Sequence, residues 1–270
     1  MKYTAESLAA LISDARYQDI GNLPSNFFPY DFKILYIRPF TVRELRLISK
    51  AAVLKEMQHL LRAIDLVISV DINDISIGDF YYILMWLRIH SMPKTPYVIE
   101  WLCEVPVFID LETSQRVFYD APGFNAQDLA SQPEKYGQVP SCGTHNSEII
   151  HMSDVKILSL DEDNFESLPP AAGTVEFDFP RVRNLLEIQE AVADPELKLI
   201  AGPAQWIKAP TFKDKVDILE ATPDLDIFDS ASVLNEQIIH GIQETTTLTC
   251  RGCGIKRPHA LTLDALSFFR

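Results

Sequence analysis

No apolar run in this chain approaches the ~18 residues of a membrane-crossing helix, so no such span is predicted. Cysteine is scarce, with four in 270 residues. A chain this long can bury most of its apolar surface without disulfides, so a small stapled scaffold is not expected. The opening Met1-Lys2-Tyr3-Thr4-Ala5-Glu6-Ser7 lacks the apolar stretch and cleavage site of a secretory signal. The thiols are therefore expected to stay reduced in a cytoplasm. Positive charge is also short: 24 Lys and Arg stand against 38 Asp and Glu, for a net charge of −14. Phosphate contacts need clustered Lys and Arg, so general nucleic-acid binding is not expected. There is no Gly-rich phosphate loop, no His-Glu-x-x-His and no Gly-x-Ser-x-Gly, and no enzyme is predicted. Internal repeats and low-complexity tracts are missing too. What remains, 47% hydrophobic and 23% charged residues, is the composition of a globular protein.

The charge is unevenly placed. Residues 1–100 balance 11 basic against 11 acidic side chains, whereas 161–229 hold 16 acidic and 6 basic ones. Residues 5–17 set Leu8, Leu11, Ile12 and Ala15 at amphipathic-helix spacing. Residues 32–40 read as a short strand. Thr41-Val42-Arg43-Glu44 is a capping box opening a helix whose inward face continues from Leu45 to Ile64. Ser76-Ile77-Gly78-Asp79 starts another, and residues 80–90 are apolar on most faces, as a buried central helix requires. Met92-Pro93-Lys94-Thr95-Pro96 ends it.

Strands are predicted at 97–103, 105–111 and 115–119, with a turn at 111–114, a loop at 120–141, and further strands at 148–151 and 155–160. Helices return at 181–193, after the Thr211-Phe212-Lys213-Asp214 cap, and after Thr222-Pro223-Asp224, the last closing at Gly241. A strand at 243–249 follows, then a turn and an apolar tail at 261–269. An α+β protein is predicted, with a helical N-terminal part, a β-rich zinc-closed middle and an acidic helical insertion. The boundaries are 1–96, 97–160 with 243–262, and 161–242. Strand 243–249 is expected beside strand 97–103.

Cys250-Arg251-Gly252-Cys253-Gly254 carries the sharpest chemistry. Two thiolates separated by two residues grip one metal from a single turn, and glycine lets backbone amides face the sulfurs. Structural zinc takes four ligands. The other two cysteines, Cys103 and Cys142, lie at predicted strand ends, and Cys142 is followed by Gly143 as Cys253 is by Gly254. A structural zinc site of Cys103, Cys142, Cys250 and Cys253 is the leading reading. A lone reduced pair with two buried thiols stands beside it. A redox pair is less favoured, because no helix opens after Cys253 to lower a thiol pKa. His145 and His151 are candidates to replace a cysteine. Calcium at Asp161-Glu162-Asp163-Asn164 or Asp224-Leu225-Asp226 lacks the central Gly and final Glu of its loop. A Cys142 nucleophile with His145 is disfavoured by their closeness in sequence. The aromatic strip 21–30 reads equally as a docking arm or as a connector folded over its own core.

Residues 32–44, a strand, Arg38-Pro39 and a capped helix, resemble the opening of the baseplate hub and hub-assembly proteins of contractile-tailed bacteriophages. The acidic turn leading into Gly78-Asp79-Phe80 and its helix is similar to that family's, as are Leu87-Arg88-Ile89-His90-Ser91 and Pro96-Tyr97-Val98-Ile99-Glu100-Trp101, which lead into a cysteine. Cys142-Gly143-Thr144-His145-Asn146 resembles its second metal-type segment. One departure is that Glu104-Val105-Pro106 brings Cys103 no neighbouring cysteine, so a metal site must be completed from Cys142 and the C-terminal pair. The resemblance implies a virion part in the tail baseplate, hub or hub-proximal. It implies synthesis in the host cytoplasm, several copies per assembly, and binding to other baseplate and tail proteins. An assembly chaperone absent from the mature virion, and a cytosolic zinc-ribbon regulator using Arg251, Lys256 and Arg257 on nucleic acid, are the alternatives.

Overall fold

The computed structural model describes residues 9–10, 13–94, 97–105, 107–117, 129, 131–139, 141–151, 154–161, 175–222, 225–243 and 245–261. The chain forms two compact units, each assembled from separated segments. One holds residues 1–93, 156–243 and 263–270, and the other 94–155 and 244–262. Most of the helix predicted at 5–17 and the apolar tail after Leu261 lie outside the described residues.

In the first unit, two-residue strands β1 (Gln18–Asp19) and β2 (Tyr36–Ile37) pair antiparallel. The longer strand predicted at 32–40 is limited to β2, with Pro39 two residues beyond. Thr41 caps α1 (Val42–Leu54) through its side chain, and Glu44 reaches back to the Thr41 amide at 2.7 Å. The single long helix expected from Leu45 to Ile64 is two. Lys55 adopts φ 57°, and the chain restarts as α2 (Met57–Asp65). A left-handed residue ends a helix, and the apolar spacing on either side does not reveal it. Ser76 caps α3 (Ile77–Ser91), which buries Phe80, Ile83, Leu84, Met85, Trp86 and Leu87 as a central helix. Burying each of these contributes roughly 1.5–3 kcal/mol.

Glu44 is 3% exposed and shares its carboxylate with Arg38 at 3.2 Å and with the Thr41 hydroxyl. Burial opposes its charge, but the Arg38 guanidinium and the Thr41 donors prevail and lower its pKa from 4.5 to about 2. A depressed acid stabilises the fold fully above pH 4.5 and loses that contribution as pH falls from 4.5 toward 2. Glu44→Gln is expected to flatten the acid limb of a urea-denaturation series by roughly 1–3 kcal/mol. An unchanged acid limb would show that Glu44 does not drive it.

The acidic segment enters this unit through backbone bonds from Ile77 to Pro180 and from Val182 to Ile75, both at 2.9 Å. A 3-10 turn (Val182–Asn184) leads into α4 (Leu185–Ala193), followed by α5 (Lys198–Ala204), α6 (Phe212–Ala221) and α7 (Leu225–Gln237). Their small and branched residues, among them Ile188, Ala201, Ala204, Val216, Leu219 and Ala231, make one core. Helix α5 was not predicted, because it contains Gly202 and Pro203. The last helix ends at Gln237 rather than at Gly241, which lies in β9 (Gly241–Ile242), paired with β8 (Ile157–Leu158). Gly241 has φ +119°, and a Cβ there would meet the Gly78 carbonyl at 2.8 Å. A Cβ on Gly78 would meet the His240 carbonyl at 2.3 Å. Glycine at both positions lets β9 press onto the first turn of α3.

The strip 21–30 is a connector, not a free arm. Leu23, Phe27 and Tyr30 are buried, and Asn26 and Phe27 curl the chain with positive φ. Asp79, fully buried, accepts from the Ser25 amide (2.9 Å), the Ser25 hydroxyl (2.6 Å) and the Tyr30 hydroxyl (2.5 Å).

The second unit is built of strands. β3 (Tyr97–Leu102) pairs antiparallel with β7 (His145–Ile150), from Tyr97 opposite Ile150 to Leu102 opposite His145. β4 (Val107–Asp110) lies between β5 (Arg116–Val117) and β6 (Tyr136–Val139). β10 (Thr245–Thr249) pairs with β11 (Lys256–Ala260). The partner expected for 97–103 is therefore wrong. The Cys250–Gly254 turn reverses the chain, and β10 takes as its partner a polar, Pro-containing strand that shows no β pattern in sequence.

Candidate metal centre

Two chain reversals within the second unit present the sulfurs. Beyond β3, the Cys103 amide donates to the Thr144 carbonyl at 2.9 Å, and the Gly143 amide to the Cys103 carbonyl at 3.0 Å. The Cys142 amide donates to the Val105 carbonyl at 2.8 Å. Backbone pairing thus carries Cys103 and Cys142 to one end of the ribbon, with Gly143 at φ +67° making the bend. At the end of β10, the Cys250 amide donates to the Ile255 carbonyl (3.0 Å) and the Gly254 amide to the Cys250 carbonyl (2.8 Å). Gly254 adopts φ +74°, a conformation that favours glycine. Gly252 is fixed by space: an added Cβ would lie 1.9 Å from the Thr144 hydroxyl and 3.1 Å from the Cys142 sulfur.

The result is four sulfurs, from Cys103, Cys142, Cys250 and Cys253, all within 4.8 Å of one another. Cys103 and Cys253 Sγ stand 3.7 Å apart, and Cys142 and Cys250 Sγ 3.9 Å apart. Neither separation is a disulfide, whose sulfurs lie about 2.05 Å apart. A tetrahedron of thiolates at about 2.3 Å from its centre has edges of about 3.8 Å. The set therefore fits one tetrahedral ion, and the sequence prediction that grouped these four residues is realised in space. Among the described residues they are the cluster of three or more potential ligands.

The surroundings treat the sulfurs unequally. Val105 and Ile255 pack with Cys103 and Cys250 and exclude water from one side. Burial pushes the Cys250 thiol up, but the Cys253 and Gly252 amides and the Asn146 side chain outweigh it and bring it down to about 6. Burial raises the Cys103 thiol, and burial with the neighbouring sulfurs raises that of Cys253. A divalent cation among the four sulfurs would favour their thiolate forms.

Asn146 was not singled out as a site residue. It is 4% exposed and donates to the Thr144 carbonyl (3.0 Å) and to Cys250 Sγ (3.5 Å), while its carbonyl accepts the Arg251 amide (2.9 Å). It joins the two reversals from behind the sulfurs. Its nearness to Cys142 and Gly143 was the available signal. His145 and His151 are both exposed and outside the cluster, so neither replaces a cysteine. Cys142 Sγ sits 3.1 Å from the Thr144 hydroxyl, within the four-sulfur cluster. Of the acidic clusters considered for calcium, residues 162–164 and 224 lie outside the described residues. Asp161 and Asp226 belong to no ligand cluster among those described.

Among known proteins, one family model matches, over residues 23–270, and its description is T4 bacteriophage base plate protein. No curated protein and no solved structure matches the chain.

Proposed function

The chain belongs to the T4 bacteriophage base plate protein family, and we propose that it is a hub or hub-proximal part of a contractile tail whose four cysteines hold one structural zinc ion. It is a structural component of a phage baseplate, and its partners are other tail proteins. The match over residues 23–270 carries that assignment. The zinc part of the reading rests on the sulfur geometry, and four thiolate ligands leave no open position for water, so such a site stabilises without catalysing. Zinc suits an all-sulfur tetrahedron better than hard cations, which take oxygen. The ion would fasten the 103/142 reversal to the 250/253 reversal, and the protein would act by binding its neighbours.

The experiment compares purified tails with infected-cell lysates by quantitative mass spectrometry, with density from a tagged chain located in tail reconstructions. A hub part is expected in finished particles at fixed stoichiometry, close to the tail axis. A chain abundant in lysate, absent from finished tails, and still required for hub formation would be an assembly chaperone instead. Density at the baseplate periphery would overturn the hub assignment. The nucleic-acid reading is weakened by the net charge of −14, because phosphate contacts need clustered Lys and Arg.

A further inference from the structure

Beside the acidic helices lies a feature of the opposite sign. Residues 161–229 contain six basic side chains. Four of them, Arg181, Arg183, Lys208 and Lys215, line one cavity of about 550 Å³, whose acidic members are Glu176 and Asp178.

Three of those cations are already paired. Arg181 binds Asp178 at 2.9 Å, Lys208 binds Glu176 at 2.6 Å, and Arg183 binds Asp74. Lys215 differs. It is 3% exposed, and its ammonium donates to the Gln205 carbonyl at 2.9 Å. No carboxylate pairs with it among the described residues. An ammonium carries three donors, and a buried cation is costly unless paired. Burial, opposed by the charge of Asp178, holds the Lys215 ammonium down at about 8.

We propose that this cavity is a binding site for an oxyanion of carboxylate or phosphate type, which Lys215 grips from the floor while Arg181 and Lys208 flank it. A negative group entering there would take up the ammonium's remaining donors and balance the excess of cations over acids on the walls. The volume admits more than one ion and suits either a small multivalent anion or the end of an acidic segment from a neighbouring chain. The local fold supports a preformed site. Lys215 is in the first turn of α6, directly behind the Thr211-to-Asp214 capping box, and Glu187 accepts the Phe212 amide at 2.8 Å, so the helix start is fixed without the ligand.

The test titrates the full chain by calorimetry at constant ionic strength, with chloride as control, in two arms: inorganic phosphate and a capped tri-glutamate peptide. Saturable one-to-one binding of either supports the site. Tighter phosphate binding indicates a free anion, and tighter peptide binding indicates a neighbouring chain. Lys215→Met, which keeps length and apolar stem, is expected to weaken binding at least about tenfold, the loss of one charge-assisted contact. Should that variant fail to fold, Lys208→Gln on the exposed rim is expected to weaken binding about threefold. Absence of saturable binding, or equal affinity in the wild-type chain and every folded variant, would overturn the proposal.

Discussion

Cys250→Ser and Cys253→Ser, each made singly in the full chain, are expected to reduce bound zinc from about one ion per chain to a small fraction of that, and to unlock the β-rich unit. Structural zinc contributes roughly 10–16 kcal/mol of apparent binding energy in small zinc-dependent folds. Removing one of four thiolates forfeits several kcal/mol of it, because hydroxyl is a poor substitute for a soft anion. The loss falls on reversals that are otherwise joined by Asn146 and a small apolar core. That core consists of Cys103, Val105, Cys250 and Ile255, with Cys142 and Cys253 against it. Elemental analysis reads the metal, and amide hydrogen exchange reads the strands. Protection in β3, β7, β10 and β11 is expected to fall. Asn146→Ala is the graded companion, since groups that orient ligands typically change metal affinity 10- to 100-fold, or about 1.4–2.7 kcal/mol. Metal content and exchange rates both untouched in the two serine variants would remove zinc from the account.

The second large effect lies in the helical unit. Asp79→Ala is expected to cost about 3–5 kcal/mol, because it removes the shared acceptor of three buried donors, each of which costs roughly 1–3 kcal/mol when left unsatisfied. The Ser25 amide, the Ser25 hydroxyl and the Tyr30 hydroxyl all point at this carboxylate. Burial first, and the Asp79 charge second, raise the Tyr30 phenol well above its usual range, so it remains a donor at any physiological pH. Tyr30 also accepts the Ser76 amide at 2.8 Å, and Ser76 in turn contacts His240 Nε2 at 2.8 Å. One aspartate therefore anchors the strip 21–30, the cap of α3 and the approach to β9. Tyr30→Phe should cost less, about 1–3 kcal/mol, since it leaves Asp79 with both Ser25 donors and strands only the Ser76 amide. Urea denaturation measures both variants. A cost below about 1 kcal/mol for Asp79→Ala would mean that water replaces the lost acceptor.

Some of this architecture was legible beforehand, for physical reasons. The Thr41 and Thr211 capping boxes and the Ser76 cap act within four residues, so their side chains declare the helix starts. The all-round apolar character of α3 declared its burial, and the chemistry of four scarce thiols declared their grouping. What stayed hidden depends on partners distant in sequence or on backbone geometry. Lys55 splits a helix through a left-handed dihedral that its side chain does not advertise. Lys256–Ala260 becomes a strand because the Cys250–Gly254 turn aims it at β10, overriding a polar sequence with a proline. Asp79 looked like an ordinary first-turn acid, and only the folded strip 21–30 makes it a buried hub. The cationic cavity gathers residues from four short stretches of an acidic region, where net charge concealed it.

The order of the thiols along the chain has a temporal consequence. Cys142 and Cys250 are 108 residues apart, and Cys103 and Cys253 are 150 apart. Elongation at roughly 5–20 residues per second leaves the first two sulfurs waiting on the order of 5–20 s for the second pair to be synthesised. A nascent chain halted before Cys250 holds two ligands and cannot close the centre. An ion held by all four sulfurs could therefore be captured only after translation has passed Cys253.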